Sequence, residues 1–240
     1  MENPTAKIYV TKLAAAHRQL RAAMRMFFVE EDELAIHTVA SAAYRILSDL
    51  KTHRGKSEAA DILGRGIYYM TIDYLRGDIS EKEIKDMGLQ GTVNNLIENG
   101  VVTINTKPDE FDLKVSVPFE KGYWGWRNQV SNFLKHADRD LGGKIDLDSV
   151  DNEFVISAAM AAYLDLTDGK FDESEPELVT WMIYNNSTRD FGKFSWPENY
   201  RGIIEKVSGL EDGEKIKACD VILRSIRDGP ELSGNDDLYS

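Results

Sequence analysis

Two long stretches of helical periodicity, joined by a short acidic link, constrain this chain of 240 residues more than any other feature. Between Ala6 and Phe28, Leu13, Ala16, Leu20, Met24 and Phe27 recur at the three- and four-residue spacing that lines one helix face. His17, Arg18, Arg21 and Arg25 lie around the other side, making this the most basic predicted helix. Between Glu33 and Leu50, a second stripe is built from Ile36, Val39, Ala43, Ile46 and Leu50, with His37, Ser41 and Tyr44 beside it. Each stripe needs a partner to leave water, and so short a link predicts an antiparallel pair. The run Glu30–Glu33 suits the start of the second helix, where backbone dipoles favour negative charge.

The same periodicity predicts further helices. Ser57 can cap one that runs through Arg76. Ser80 and Glu83 form a capping box that opens another. Later come Asn152–Leu166, a helix from Pro176 carrying Val179, Met182 and Ile183, one opened by Ser195-Trp196-Pro197 to about Val207, and Glu214–Arg227. In that last helix Ile216, Cys219, Leu223 and Ile226 share a face, which makes Cys219 a core residue. Strand-like patterning is confined to about 101–117. Val101–Thr106 is rich in β-branched residues, Phe111–Val117 alternates strictly, and Lys107-Pro108-Asp109-Glu110 between them is turn chemistry, so a β-hairpin over about 101–117 is expected. Short helix, turn, short helix and hairpin is also the order of a winged helix. Its recognition helix, Gly91–Asn99, would offer Thr92, Asn94, Asn95 and Glu98 but no Lys or Arg to hold phosphates. Gly55-Lys56-Ser57 is not a phosphate-binding loop, because Leu50 stands where that motif needs its first glycine.

Charge narrows the function classes. The formal net charge is −12, although residues 1–56 carry nine Lys/Arg against six Asp/Glu. Binding to a duplex leans on neutralising its phosphates, so generic duplex DNA is disfavoured. One cysteine allows neither an intramolecular disulfide nor a multi-cysteine zinc site and fits a reducing cytoplasm. No run approaches the length of a membrane span, and the polar start MENPTAKIYVTKL is not a secretory signal. The expected organisation is one helical domain over 1–228, followed by an acidic mobile tail over 229–240.

Chemistry-bearing residues recur on one side of a core element only in Trp124–Asp140. Read as one helix, this stretch puts Trp126, Val130, Phe133 and Ala137 on a core stripe, with Asn128, Asn132, His136 and Asp140 alongside. Asp140 can orient the His136 imidazole, and Asn132 can hold a ligand oxygen. His37 is the natural second histidine, with Tyr44 one heptad on as a further ligand contact. No H-x-x-x-H pair occurs, and the aspartates at 146, 148 and 151 miss the spacing of a calcium loop, so neither a metal nor another cofactor is expected.

Ala35-Ile36-His37-Thr38-Val39-Ala40 and Asn132-Phe133-Leu134-Lys135-His136-Ala137-Asp138-Arg139-Asp140 resemble two signature stretches, IHTL-A and NFFKHADRD, of a group of uncharacterised bacterial proteins. That group is similar to the HEPN superfamily of helical bundles, many of them dimers and metal-independent ribonucleases. The resemblance spans roughly residues 10–52 and 122–166 and implies a mainly α, HEPN-like antiparallel bundle with 57–118 as an inserted hairpin-bearing segment. In that family a histidine acts as general base on the 2′-hydroxyl and an arginine stabilises the phosphorane. Aligned on Asn132 and His136, the arginine position holds Ser131, and Arg127 lies about half a turn away in rotation. The resemblance therefore implies a non-catalytic, dimerising module associated with RNA or a nucleotide. A metal-independent ribonuclease using His136, with Arg127 or another arginine supplied by a partner copy, is the first alternative, and a winged-helix DNA binder the second.

Overall fold

The computed structural model describes residues 9–54, 58–86, 88–107, 110–111, 125, 128–136, 138, 141–169, 174–188 and 198–228, with the side chains of 58–63, 65 and 198–199 excepted. Among them the chain is mainly helical and contains no strand. The helices are α1 (Lys12–Phe28), α2 (Glu33–His53), α3 (Glu58–Arg76), α4 (Glu81–Asp86) and α5 (Gln90–Glu98). They continue with α6 (Gln129–Lys135), α7 (Asn152–Leu166), α8 (Pro176–Thr188), α9 (Glu198–Ser208) and α10 (Asp212–Asp228). No described helix is long and apolar enough to cross a membrane. The expected tail, 229–240, lies outside the described residues.

The chain divides into two compact units, one formed by Met1–Leu50 and Val130–Ser240, the other by Lys51–Gln129. The expected insertion, 57–118, falls inside the second. In the first unit α8 is the hub, packed against α1, α9 and α10, while α1 also packs on α7 and α10. Leu178, Val179, Trp181, Ile183 and Tyr184 are all buried, so α8 is enclosed around most of its circumference. Ala158, Ala159 and Ala162 are buried on α7, where small side chains allow close helix approach. In α1 the expected stripe is present at Ala16, Leu20 and Met24, but Phe28 takes the enclosed place expected of Phe27.

In α2 the buried side is rotated from the predicted one. Ile36, Ala40, Ala43 and Leu47 are buried, whereas Val39, Ile46 and Leu50 are only half-buried. A second buried row, His37, Ser41, Tyr44 and Ser48, runs beside them at the same four-three spacing. Hydropathy underweights both alanines and hydroxyls, so periodicity alone placed the centre of this face too far round.

Cys219 is buried on α10, as its position in the sequence predicts. Burial pushes its thiol up to about 12, so almost no thiolate exists at neutral pH. Labelling by a disulfide reagent at pH 8 is expected to be negligible in the native protein and to follow the unfolding transition in urea. Rapid labelling before any loss of helical circular dichroism would contradict this packing.

In the second unit, Tyr68, Ile72, Leu96 and Val102 form the core, with Ile67, Tyr69, Leu75 and Phe111 partly buried against it. The predicted capping box is formed: Glu83 accepts from the Ser80 backbone N–H at 2.8 Å, and Ser80 Oγ accepts from the Glu83 N–H at 3.3 Å. Val101–Thr106, expected as the first arm of a hairpin, forms bends and turns instead. The backbone N–H groups of Val101 and Val102 both donate to Leu96 O, closing the end of α5, and the Thr106 N–H donates to Thr103 O. Donors needed for a strand ladder are used to terminate a helix. The second arm, 112–117, lies outside the described residues. The exposed side of α5 presents Thr92, Asn95 and Glu98, and no cation.

Candidate functional site

The predicted central helix is shorter than its periodicity suggests. Within Trp124–Asp140, α6 covers Gln129–Lys135 and ends on a bond from the His136 N–H to Asn132 O at 3.0 Å. Beyond it His136, Asp138, Leu141 and Gly142 are not helical. Continuing the helix would set Asp138 and Asp140 against the negative end of its own dipole, and the glycine pair follows at once. Val130 and Ser131 are the buried positions, whereas Phe133, expected on the core stripe, is 38 % exposed.

Asn132 is exposed on α6, and the His136 side chain sits past the helix end at 34 % exposure. His136 Nδ1 lies 4.0 Å from an oxygen of the exposed Asp138. Arg127 and Asp140 lie outside the described residues, as do Trp126 and Ala137. Asn128 is half-buried. His37 and Tyr44 share one face of α2, seven residues apart, and both are buried. One predicted histidine is thus in the core and the other at the surface.

A polar constellation that the sequence reading passed over joins α1 to the start of α8. His17, Arg21 and Arg25 are one helical turn apart on α1 and meet Glu175 and Glu177. His17 Nε2 lies 2.7 Å from Glu175 Oε2, and its ring stacks on Tyr163 of α7 with centroids 4.6 Å apart and planes 5° from parallel. Arg21 Nε donates to Glu177 Oε2 at 2.8 Å, and Arg25 Nη1 donates to Glu177 Oε1. Arg21 also reaches Glu175 at 3.4 Å. Burial by itself would raise the Glu177 carboxyl, but the hydrogen bonds from Arg21 and Arg25 outweigh it and hold the group below the usual glutamate range.

Both carboxylates stand at the N-terminus of α8, where the macrodipole favours them. The two guanidinium groups are committed to carboxylates, so this constellation is built to lock α1 onto α8. His17, which the periodicity places on the side of α1 away from its apolar stripe, is one of its members. The repeat H-x-x-x-R-x-x-x-R on one face of α1 was legible. Its partners lie more than 150 residues on, which no local pattern connects.

A second feature is a buried phenol. Burial, and then the hydrogen bond to Glu153 Oε1 at 2.5 Å, push Tyr184 well above the ordinary tyrosine range, so it remains a neutral donor. Comparison with known proteins adds no assignment: no family profile, curated protein or solved structure matches this chain.

Proposed function

We propose that this chain is a HEPN-like helical module that self-associates through α6 and the loop after it, and that it works as an interaction module and not as a nuclease. The observation that carries this reading is the outward display of large apolar side chains on that stretch: Phe133 is 38 % exposed and Leu141 92 % exposed. Apolar residues so placed gain most by meeting a second surface, and a symmetric pair of copies is the simplest closed solution. The non-catalytic half of the proposal is supported by His136 leaving the helix that carries Asn132, and by Arg21 and Arg25 being occupied by carboxylates.

Size-exclusion chromatography with light scattering tests it. Wild-type protein is expected to run as a dimer, and the double variant Phe133→Asp, Leu141→Asp as a monomer with unchanged helical content and melting temperature. A wild-type monomer at every concentration, or a double variant that still dimerises, overturns the association. EDTA-resistant RNA cleavage that disappears in His136→Ala would replace this reading with a ribonuclease.

A further inference from the structure

Asn99 is the one asparagine of the chain that is followed by a glycine. It caps the C-terminal end of α5, and both it and Gly100 are exposed. Gly100 takes a φ of 65°, the left-handed turn that closes the helix. A Cβ placed on Gly100 would meet no atom within 4 Å, so the peptide bond between the two residues has open space on its glycine side. Along the chain, Asn99 Cγ and the Gly100 nitrogen are separated by Cβ, Cα and the carbonyl carbon, the spacing that closes a five-membered ring.

Hydrogen bonds at the helix end engage both groups. Asn99 Nδ2 donates to Asn95 O at 2.8 Å, and the Gly100 N–H donates to Ile97 O at 3.0 Å. The Val101 and Val102 N–H groups donate to Leu96 O at 2.9 and 3.2 Å. This latch is lightly secured. Helix α5 has only nine residues, and among the described residues no side chain caps its start after Leu89. Its last turn holds Glu98 and no Lys or Arg to answer the negative end of the dipole. Short helices with poorly capped ends open locally at little cost.

We infer that Asn99-Gly100 is a self-modifying site, at which spontaneous loss of ammonia converts Asn99 to aspartate or isoaspartate and unlatches α5 from the core of the second unit. Asparagine is among the thermally labile side chains. When the end of α5 opens, the Gly100 nitrogen gives its proton to hydroxide and attacks Asn99 Cγ. The new N–Cγ bond closes a five-membered imide, the Cγ–Nδ2 bond breaks, and ammonia leaves with a proton from water. Water then opens the imide at either carbonyl, and no other co-reactant is needed. Both products set a carboxylate beside Glu98 at the negative end of α5 and delete the Nδ2 bond to Asn95 O. Isoaspartate also adds a methylene to the main chain, which moves the N–H groups of Gly100, Val101 and Val102 off Ile97 O and Leu96 O. Leu96 and Val102 are buried core residues of the second unit, so the change reaches its packing.

Incubation of the full chain in mildly alkaline buffer, followed by peptide mass mapping, is the test. The expected result is amide-to-acid conversion at residue 99 ahead of every other asparagine, with isoaspartate detected in that peptide by enzymatic methyl transfer. Urea is expected to speed the conversion, because it releases the bonds that hold both groups. Asn99→Gln, whose longer side chain would have to close a six-membered ring, is expected to stay unconverted with its helical content kept. Aged wild-type protein and fresh Asn99→Asp are both expected to melt below fresh wild type. No conversion at residue 99 in native buffer, or a rate there no greater than at the other asparagines, overturns the inference, and neither reading depends on a variant that folds. Conversion of Asn99→Gln at the wild-type rate overturns the ring-closure route. An aged, converted protein that melts with fresh wild type overturns the unlatching.

Discussion

Trp181→Ala is expected to lower the unfolding free energy by about 3–5 kcal/mol, the range for deleting a large buried aromatic side chain. Trp181 is among the largest fully buried side chains and sits on the hub helix α8. Its ring centroid lies 5.2 Å from Phe27, 5.8 Å from Phe28 and 5.6 Å from Tyr184, so truncation removes contacts to α1 and within α8 together. Trp181→Phe separates the two consequences of the change. The indole Nε1–H has no acceptor among the described residues, so phenylalanine removes an unsatisfied donor while refilling much of the volume. Its cost is expected to stay below about 1.5 kcal/mol. Urea denaturation followed by circular dichroism measures both. Equal midpoints for Trp181→Ala and wild type would show that this aromatic cluster is not the centre of the first unit.

Glu177→Ala is the second large effect, expected to destabilise by about 2–3 kcal/mol at neutral pH. Breaking a buried ion pair typically costs about 3–5 kcal/mol, because the partner is left buried and uncompensated. The value here is discounted because Arg21 and Arg25, at 32 % and 41 % side-chain exposure, can turn to water, whereas Glu177 at 3 % cannot. The pH dependence gives a signature that lost packing does not. Because the folded-state pKa of Glu177 is depressed, its contribution is fully present above the unfolded glutamate value, roughly 4.3. It is lost as pH falls through the lower, folded value. The stability gap between wild type and Glu177→Ala should therefore be constant from neutral pH down to about 5 and narrow below it. A gap that does not change in acid would assign the loss to packing alone. Glu177→Gln, which keeps the volume, should reproduce the pH signature with a smaller neutral-pH loss.

Most helices were legible in the sequence because their evidence is local. Asn152–Leu166 has the bounds its pattern predicts, α2 starts at Glu33 and α3 ends at Arg76 as expected, and the Ser80–Glu83 box forms. Two local readings failed for identifiable reasons. The β-branched run Val101–Thr106 has strand composition, yet the end of α5 takes its first two backbone donors. Trp124–Asp140 has helical periodicity, yet α6 stops at Lys135, before the acidic and glycine-bearing residues that follow. Periodicity reports which face could be buried and says little about where a helix ends.

The C-terminus of α1 shows the same boundary between local and non-local information. The Glu30 N–H donates to Phe27 O and the Glu31 N–H to Met26 O, and Glu30 takes a φ of 53° to close the helix. This left-handed position is one a side chain rarely favours, and glycine would be the usual choice there. The acidic run marks the start of α2, as its charge predicts. That it also forms one wall of a groove depends on Asp148 and Asn152, over 100 residues away.

The order of residues thus determined the helical class, the amphipathic faces, the caps and the lone buried thiol, since each depends on neighbours within a few turns. Tertiary structure alone decided that His17, Arg21 and Arg25 are answered by Glu175 and Glu177, that His37 is enclosed while His136 is partly open, and that the acidic run lines one groove with Asp148. These pairings join residues more than 100 positions apart, and their energy comes from desolvation and charge in a shared environment. Such terms exist only once the helices have packed.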